Sequence, residues 1–564
     1  MNAEHLLAHF ERISEAPDAI ARLRRFILDL AVRGKLVEQD PEDEPAEELL
    51  GRILELKIRS TGKLPKSNSQ MIDRLFDDEP FAIPDSWTWV VLGQITDLIT
   101  SGSRDWAKHY SNSGAIFVRM GNLVKCDYRL RLDSIQHVSP PAGGEGTRTR
   151  LEAWDVLVSI TGDVGMLGLI PEGFGEAYIN QHTALARPCF LLKGRYLPEF
   201  LRSDFAQNQF QEPQRGIKNS FRLSDLSAIV VPLPPLAEQQ RIVAKLDELM
   251  ALCDQLEAAR NQRQQCRERL LAATLQRLNQ PAADPATFRK DASFALQVLP
   301  SLTTTPAQIK QLRQTILNLA VRGELVEQDP EDEPVQGFID ETRIQLLPKW
   351  PTPSSWRWVR LRDIGRLKGG GTPSKARDDF WHGDIPWVSP KDMKVDYLNG
   401  AQLSITDAAI KNSAVNLVEP QSILFVVRGM ILAHSFPVAI SKAPLTINQD
   451  MRALVPRQIE MSEYLLRSLK GLKPEILKKV QRSSHGTCRI EGKDYSDFPI
   501  PLPPLAEQHR IVAKVDVLMA LCDQLEQQLS QADQQRRRLL EALLAEALGG
   551  RLPIEQEESH AAIA

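Results

Sequence analysis

The residue groups in this sequence that could support catalysis are incomplete. Residues 369–375 (GGGTPSK) contain the glycines of a phosphate-binding loop but lack its closing Gly-Lys-Ser/Thr. The Pro-Pro pairs that begin at positions 140, 234 and 503 do not follow the Asn or Asp that a DNA-amino methyltransferase motif requires. Neither His-Glu-x-x-His nor paired Cys-x-x-Cys occurs, so no metal site is predicted. The sequence therefore predicts a chain without an active site of its own.

Single reactive residues do not change this interpretation. His182 and Asp450 occupy matching places in an internal repeat but differ in kind, which argues against a shared catalytic base. The carboxylates of the two QDPEDEP segments could bind a cation, although a solvated acidic turn is the better interpretation. Cys253 and Cys522 fall on predicted helix seams, where a small apolar core residue is expected.

Length and composition exclude several classes of protein. A chain of 564 residues exceeds one ordinary core, so two or more domains are expected. Its net charge of −4 excludes a globally basic nucleic-acid coat but permits a local basic cleft. Apolar runs are strand-sized, six cysteines are too few for a disulfide scaffold, and the N-terminus lacks a signal-peptide pattern. We expect a cytoplasmic, reduced protein that does not enter a membrane.

An internal duplication organises the chain. Residues 30–45 (LAVRGKLVEQDPEDEP) recur at 319–334 with one difference, and residues 233–257 recur almost unchanged at 502–526. The segments between these motifs have equal length but diverged sequences. Near-identical ends indicate shared structural work, whereas divergent middles indicate one fold with two different surfaces.

Hydrophobic spacing predicts helices at the ends of each copy. Apolar residues that step by four and three form a coiled-coil seam in both copies. The seams consist of Ile242, Leu246, Leu249, Cys253 and Leu256 in the first copy, and of Ile511, Val515, Leu518, Cys522 and Leu525 in the second. The second helix is predicted over 504–548, roughly 68 Å at about 1.5 Å per residue. Gly34 and Gly323 are predicted to cap shorter helices.

The expected fold class is mixed α/β (α+β). Residues 115–118, 156–160, 385–388 and 423–427 have the composition of strands. Two globular domains are expected, separated by two long antiparallel coiled-coil helix pairs in a pseudo-two-fold circular arrangement, with the C-terminal helix beside the N-terminal one. The predicted segments are an N-terminal helical segment 1–50, a linker 51–83, domain 1 at 84–232, a central helical spacer 233–334, a linker 335–352, domain 2 at 353–501, a C-terminal helix 502–550 and a tail 551–564.

This organisation favours binding over catalysis. Two diverged domains on a rigid symmetric spacer suit a ligand with two unlike parts at a fixed separation, and a bipartite DNA site is such a ligand. The alternative from another class is a non-catalytic coiled-coil scaffold that binds only proteins. A single-chain endonuclease or methyltransferase has the least support, because no motif favours it.

Several of these segments resemble one known family. The segment LPPLAEQxRIVAKxDxLMALCDxLE, present twice, is similar to the conserved helical regions of type I restriction-modification specificity subunits. PDSWTWVVLGQI at 84–95 and PSSWRWVRLRDIG at 353–365 resemble the beginnings of their target-recognition domains. Residues 101–106 and 385–389 also look like this family. The resemblance covers nearly the whole chain.

The resemblance implies a non-catalytic subunit of an adenine-N6 DNA methyltransferase and ATP-dependent restriction endonuclease in a bacterium or archaeon. Each domain would read one half of a double-stranded DNA site through the major groove. The helices would set the gap and dock two modification subunits, which use S-adenosylmethionine and flip out the target adenines. Two restriction subunits would use ATP and Mg²⁺. The chain itself would bind no cofactor and no metal.

Candidate DNA-binding residues are polar side chains in loops rich in Gly, Ser, Asn and Thr. Arg and Lys match guanine, and Asn matches adenine, through paired hydrogen bonds. The candidates are Arg104, Arg119, Asn122, Arg148, Arg150, Arg215, Lys218 and Arg222 in domain 1, and Lys375, Arg377, Lys391, Lys394, Arg482, Arg489 and Lys493 in domain 2. For any one of them, a phosphate contact or a solvated charge is the more frequent role.

Recurrent residues of the two domains are expected to serve the fold. Asn180-Gln181 and Asn448-Gln449 recur, so their first role is structural and adenine readout comes second. The four tryptophans at positions 87, 89, 356 and 358 are interpreted as core or docking anchors.

Overall fold

Two units, each built largely from one copy of the repeat, account for the structure. The computed structural model describes residues 16, 18–61, 80–104, 106–140, 143, 146–211, 220–280, 285–335, 350, 352–482 and 486–548. Unit 1 comprises Met1–Gln262 with Asp533–Ala564, and unit 2 comprises Arg263–Ala532. Both contain helices and strands, which confirms the expected mixed fold with two domains. The domain boundaries stay predictions.

Unit 1 combines short helices with two small sheets. Its helices are α1 (Ala19–Val32), α2 (Ala46–Thr61), α3 (Leu92–Ile95), α4 (Tyr196–Leu201), α5 (Asp204–Gln211), α6 (Leu223–Ser227) and the first part of α7 (Leu236–Asn279). Its strands are β1 (Thr88–Val91), β2 (Thr96–Ser101), β3 (Tyr110–Ser111), β4 (Ala115–Val118), β5 (Gln136–Val138), β6 (Val156–Ser159), β7 (Leu167–Leu169), β8 (Ala177–Ile179), β9 (Thr183–Pro188) and β10 (Val230–Leu233).

Unit 2 repeats this plan with additional strands. Its helices are the end of α7, α8 (Pro285–Leu302), α9 (Pro306–Arg322), α10 (Leu361–Ile364), α11 (Asp407–Asn412), α12 (Ser462–Gly471), α13 (Lys473–Leu477), α14 (Gly492–Ser496) and most of α15 (Leu505–Leu548). Its strands are β11 (Arg357–Arg360), β12 (Gly365–Gly369), β13 (Trp381–Val388), β14 (Tyr397–Leu398), β15 (Leu403–Ile405), β16 (Leu417–Val418), β17 (Ile423–Val426), β18 (Val438–Ser441), β19 (Leu445–Ile447), β20 (Met451–Pro456), β21 (Gln481–Arg482), β22 (Cys488–Arg489) and β23 (Pro499–Leu502).

The sheets of the two units follow one topology. In unit 1 the orders are β2-β9-β6-β7 and β3-β5-β4-β8, and β4 pairs with β8 in parallel. In unit 2 they are β12-β20-β17-β18-β14 and β15-β13-β19-β16, and β13 pairs with β19 in parallel. The chain therefore passes from one sheet to the other between β8 and β9, and again between β19 and β20. The predicted strands form β4, β6, part of β13 and β17.

The seams of the long helices are buried inside their own units. Ile242, Leu246 and Cys253 of α7 are at most 1% exposed and pack against α1 in unit 1. In unit 2, Ile511 and Val515 of α15 are fully buried in the core that contains α9, together with Cys522. The seam partner is thus the short helix of the same copy. Because these side chains are buried inside their own units, their predicted role in docking another subunit stays a prediction.

The end of α15 lies beside the start of α1, within unit 1. Leu540 and Leu543 are buried with Ala16 and Ala19, and Arg22 lies 3.5 Å from Glu541. The sequence predicted this pairing of the C-terminal helix with the N-terminal one. In unit 2, the corresponding end of α7 packs against α8 and α9.

The linker predicted for residues 51–83 is wrong over its first part. Residues 51–61 continue helix α2, whose Leu49 and Ile53 are fully buried. Lys57 then donates hydrogen bonds of 2.7–3.1 Å to the carbonyls of Gly93, Gln94 and Thr96. The polar composition concealed a helix that buries only one narrow face. Residues 62–79 lie outside the described residues.

Reciprocal polar contacts explain why the ends of the two copies are nearly identical. The indole N–H of Trp87 donates to Glu238 at 2.9 Å, and Gln39 donates to the same carboxylate at 2.7 Å. Trp356 and Gln328 contact Glu507 in the same way, at 2.9 and 3.0 Å. Burial raises the pKa of both glutamates. Trp87 and Trp356 are core residues, as predicted.

The acidic turns of the repeat bind the long helices. Asp43 lies 2.6 Å from Arg241 of α7, and Asp332 lies 2.7 Å from Arg510 of α15. The Arg510 guanidinium lowers the pKa of the Asp332 carboxyl. Because each of these carboxylates is used by an arginine, the turn is an ion-paired docking element. The expectation of a merely solvated turn was wrong for these two residues.

Candidate nucleic-acid interface

The passage between the two sheets of each unit carries the recurrent Asn-Gln pair. We call residues 180–182 crossing loop 1 and residues 448–450 crossing loop 2. Asn180 Oδ1 accepts from the backbone N–H of His182 at 3.2 Å, and Asn448 Oδ1 accepts from that of Asp450 at 3.1 Å. An Asn side chain that binds the backbone two residues on fixes a tight turn. The asparagines therefore hold the loops, as their recurrence predicted.

A glycine allows a neighbouring segment to approach each crossing loop. A Cβ atom on Gly102 would lie 2.0 Å from the carbonyl oxygen of Ile179, and one on Gly370 would lie 1.9 Å from that of Asn448. Only glycine fits such a distance. Ser103, next to Gly102, forms a bridge with Asn180. The segments that begin at these glycines are therefore held against the loops.

The end of a central strand completes each crossing loop. In domain 1 the N–H of Ile160 donates to the His182 carbonyl at 3.0 Å, and in domain 2 the N–H of Val427 donates to the Asp450 carbonyl at 2.8 Å. A third segment then joins, because Thr161 bridges Ser220 and Arg428 bridges Arg489. Three chain segments thus meet at the same place in both domains.

The side chains at this junction differ between the domains. The Thr161 hydroxyl lies 2.8 Å from His182 Nδ1, and Gln181 lies 2.9 Å from His182 Nε2. In domain 2, Arg428 Nε donates to Asp450 Oδ1 at 2.5 Å. His182 and Arg428 are both exposed. One framework therefore presents a Thr–His pair in domain 1 and an Arg–Asp ion pair in domain 2.

A polar cavity of about 460 Å³ adjoins crossing loop 1. It is lined by His182 and Asn180 on one side and by Arg119, Asn122 and Arg131 on the other. A concave surface with several convergent polar groups is typical of a binding site. Domain 1 therefore offers a polar concavity whose lining contains two arginines and one aspartate, Asp133.

Two candidates of domain 1, Arg119 and Asn122, line this concavity. Arg104 and Arg222 do not line it, but each follows in the chain a residue of the junction, Ser103 or Ser220. Arg148 and Arg150 lie at the other end of β8, where Leu151 bonds to Ala177. Arg215 and Lys218 lie outside the described residues.

Asn122 serves the fold of its own turn. It is 6% exposed, accepts from the Arg119 N–H at 2.9 Å, and donates to the carbonyls of Arg131 and Ser134 at 2.7 and 3.3 Å. Both amide hydrogens are thereby used. This geometry does not favour the predicted contact with a base.

In domain 2, Arg489 and Arg482 belong to the segment that meets crossing loop 2 through Arg428. Arg489 bridges Arg428 and pairs with Glu491 at 2.8 Å, and Arg482 pairs with Cys488 in the β21–β22 ribbon. Thr372, three residues before Lys375, is hydrogen-bonded to Gln449. The remaining candidates of this domain form other contacts or lie elsewhere in it.

Four of those candidates have other surroundings. Arg377 is held by Asp379 at 2.6 Å and stacks over Phe380. Lys391 and Lys394 line a separate cavity of about 440 Å³ near Lys470. Lys493 is exposed on α14.

The part of the chain that the structure describes contains neither a candidate metal site nor a helix that could span a membrane. Within it, no group of three or more His, Cys, Asp or Glu side chains could hold a metal ion. Among its helices, none is both long and apolar enough to cross a membrane.

Sequence reasoning missed the side chains at the two junctions. Thr161 and Arg428 were not candidates, although each precedes a glycine that recurs, at 162 and 429. His182 and Asp450 were noticed only as a mismatch. The sequence signal that could have identified them is the tripeptide Ile-Asn-Gln, which recurs in both copies and is followed by His182 in one and by Asp450 in the other.

Comparison with known proteins identifies the family of this chain. Residues 84–263 and 353–532 both match the type I restriction modification DNA specificity domain. The chain is 27% identical over 611 residues to the EcoEI specificity subunit of Escherichia coli, and 26% identical over 589 residues to the EcoAI specificity subunit of Escherichia coli. Each alignment covers 94% of both proteins. The HsdS subunit from Thermoanaerobacter tengcongensis superposes with a TM-score of 0.45 at 22% identity, over 84% of this chain and 99% of that one. Because the two matched domains make up more than half of its residues, this chain belongs to the type I restriction-modification DNA specificity family.

Proposed function

We propose that the chain is the DNA-recognition subunit of a type I restriction-modification complex, in which each domain binds one half of a bipartite target. The duplicated crossing-loop junction carries this proposal, because the same backbone framework presents different side chains in domains 1 and 2. Two unlike reading surfaces suit an asymmetric site. A scaffold that binds only proteins is not favoured, since the matched family is defined by DNA specificity.

Local charge supports the binding of DNA. Arg119 lines the cavity beside crossing loop 1, and Arg104 and Arg222 follow residues of the same junction in the chain. In domain 2, Arg489 bridges Arg428, and Arg482 lies in the same β21–β22 ribbon. Phosphate contacts provide most of the affinity for DNA, and base contacts provide the sequence preference. The acidic balance of the whole chain therefore does not oppose binding at these two surfaces.

The long helices are proposed to set the gap between the half-sites. Helices α7 and α15 each have 44 residues, which is roughly 66 Å at about 1.5 Å per residue. That length corresponds to about two turns of DNA, at roughly 34–36 Å each. The helices also expose apolar residues at matching positions, Leu252 at 49% and Leu521 at 53%. We propose that these faces dock the modification subunits.

The catalytic work is assigned to other chains. Two modification subunits would bind S-adenosylmethionine and methylate adenine N6, and two restriction subunits would use ATP and Mg²⁺ to translocate and cleave DNA. The present chain would bind none of these cofactors. The complex is proposed to act in the cytoplasm of a bacterium or archaeon.

Mapping N6-methyladenine tests this proposal. The chain is produced with its modification subunit in a host that lacks adenine methylation, and the genome is sequenced for the modified base. We expect two short specific blocks around a fixed non-specific gap, and insertion of residues into α7 should change that gap. A single contiguous palindrome would contradict the proposal, and so would methylation of DNA by the purified chain alone.

A further inference from the structure

The junction at each crossing loop keeps its backbone and changes its side chains. Ile160 and Val427 make the same hydrogen bond to the last residue of the loop. Both loops begin with Asn-Gln directly after an isoleucine that ends a strand, and that strand pairs in parallel with its neighbour. A purely structural contact can exchange its residues but keeps its type of interaction, whereas here a Thr–His contact in domain 1 is replaced by an Arg–Asp ion pair in domain 2. A change of side-chain chemistry on a constant backbone, with one exposed member in each pair, is what a specificity position requires.

We propose that the pairs Thr161–His182 and Arg428–Asp450 are specificity-determining residues, each selecting a base in its own half-site, and that Arg428 reads a guanine. This inference rests on the proposed function and adds residues to it. Arg428 and Asp450 come from different segments and meet only in the folded domain. The same holds for Thr161 and His182.

The geometry of Arg428 suits a base edge. Its Nε is held by Asp450 at 2.5 Å, and among the described residues no hydrogen bond engages its Nη1 or Nη2. The side chain is 51% exposed. Arginine presents a rigid fork that matches the O6 and N7 acceptors of guanine in the major groove. The carboxylate therefore orients the fork while leaving both terminal nitrogens for DNA.

Asp450 also argues against a phosphate contact. Its side chain is 26% exposed beside the guanidinium. A carboxylate this close to a phosphate would be repelled, whereas a carboxylate can accept a hydrogen bond from the amino group of cytosine. An Arg–Asp pair is consequently better matched to a G·C base pair than to the DNA backbone.

Domain 1 cannot make the same contact at the corresponding place. The two ring nitrogens of an imidazole point away from each other, so the ring offers no two-donor fork to a single base edge. Both ring nitrogens of His182 already lie within 2.9 Å of Thr161 or Gln181. The two half-sites are therefore expected to differ in the base read at this position, with guanine selected only by domain 2.

The test compares single variants with the wild-type chain, each assembled with the modification subunit. Methylation is measured on DNA libraries in which every target position is randomised. Arg428→Ala should reduce the preference for guanine at one position of one half-site by about tenfold to a hundredfold. Asp450→Asn should reduce preference at the same position by less. His182→Ala should change one position of the other half-site only.

The control is Arg366→Ala, because Arg366 is an exposed arginine of the same domain that pairs with Glu419 at 2.9 Å, away from crossing loop 2. It should leave every position unchanged. The half-site read by domain 1 reports in each domain 2 variant that the complex has assembled.

The outcomes separate the two proposals. If the wild-type complex shows no bipartite target, the proposed function fails. If it does, but Arg428→Ala keeps all preferences or weakens every sequence equally, the proposed function stands and this inference is overturned. Loss of the whole second half-site with Arg428→Ala would make the residue structural, which also overturns the inference.

Discussion

In both units an Arg–Asp ion pair attaches the recognition domain to the long helix. The arginine, however, comes from a different position of the domain in each unit. In unit 1, Arg195 donates to Asp247 of α7 at 2.7 Å. In unit 2 the arginine lies one helical turn later, and Arg467 donates to Asp516 of α15 at 2.7 Å. The structurally matched positions carry opposite charges, since Glu463 corresponds to Arg195 and Glu199 to Arg467.

A tyrosine connects the exchanged residues in both units. Tyr128 donates to Glu199 at 2.7 Å and accepts from Arg195 at 2.7 Å. Tyr397 donates to Glu463 at 2.8 Å and accepts from Arg467 at 3.2 Å. The contact is therefore maintained while its residues change places. At the crossing loops the opposite holds, because the positions are maintained and the chemistry changes. A structural contact can exchange the positions of its residues and still form, whereas recognition of two different half-sites requires different side chains.

The largest expected effect concerns whether the conserved Trp–Glu contacts stabilise the two units equally. Trp87→Ala and Trp356→Ala each remove a buried indole and leave Glu238 or Glu507 with one hydrogen bond fewer. Each variant should lose about 3–5 kcal/mol in the free energy of unfolding. Hydrogen exchange measures the loss separately in each unit. Similar losses, each confined to the unit that carries the change, would support the equivalence; a loss in only one variant would break it.

A smaller effect would test the exchange of charge. Arg195→Glu should destabilise unit 1 by about 1–2 kcal/mol, because Glu199 and Asp247 then face a third carboxylate. The double variant Arg195→Glu, Glu199→Arg recreates the arrangement of unit 2 and should recover most of that stability. Thermal unfolding of both variants measures the difference. If the double variant is no more stable than the single one, the two arrangements are not interchangeable.

The charge exchange also shows what the sequence could not provide. Helix positions followed from local signals, such as the four-three spacing in α15 and Gly323, whose left-handed backbone (φ 75°) ends α9. The partners did not follow, because Arg195 and Asp247 are 52 residues apart. The seam of α7 was correctly identified by its spacing, but spacing cannot say that it packs on α1. The Asn-Gln loops were found by recurrence, whereas Thr161 and Arg428 lie in the diverged middles and gain meaning only once His182 and Asp450 lie beside them.

The smallest expected effect concerns the pH dependence of stability at a position where unit 1 has an aspartate and unit 2 has an asparagine. Asp29 of α1 corresponds to Asn318 of α9 in the repeat. Burial, together with the nearby Asp204, raises the pKa of Asp29 to about 6. Because a raised carboxyl pKa disfavours the charged form in the folded state, Asp29 lowers stability above pH 6, and this cost disappears as the pH falls from about 6 toward 4. Asn318 cannot titrate in this way.

Asp29→Asn should therefore stabilise unit 1 at pH 7 by about 1 kcal/mol, allowing for partial solvent screening. The gain should shrink to nothing near pH 4, where the aspartate is protonated in the folded state and half-protonated in the unfolded chain. The reciprocal change, Asn318→Asp, should impose a pH dependence of the same sign but smaller size on unit 2, because Leu472 stands there in the place of Asp204. Denaturant unfolding of both variants between pH 4 and pH 7 measures the effect. A gain from Asp29→Asn that does not vary with pH would mean that the amide stabilises α1 through packing, and that charge does not distinguish the two units at this position.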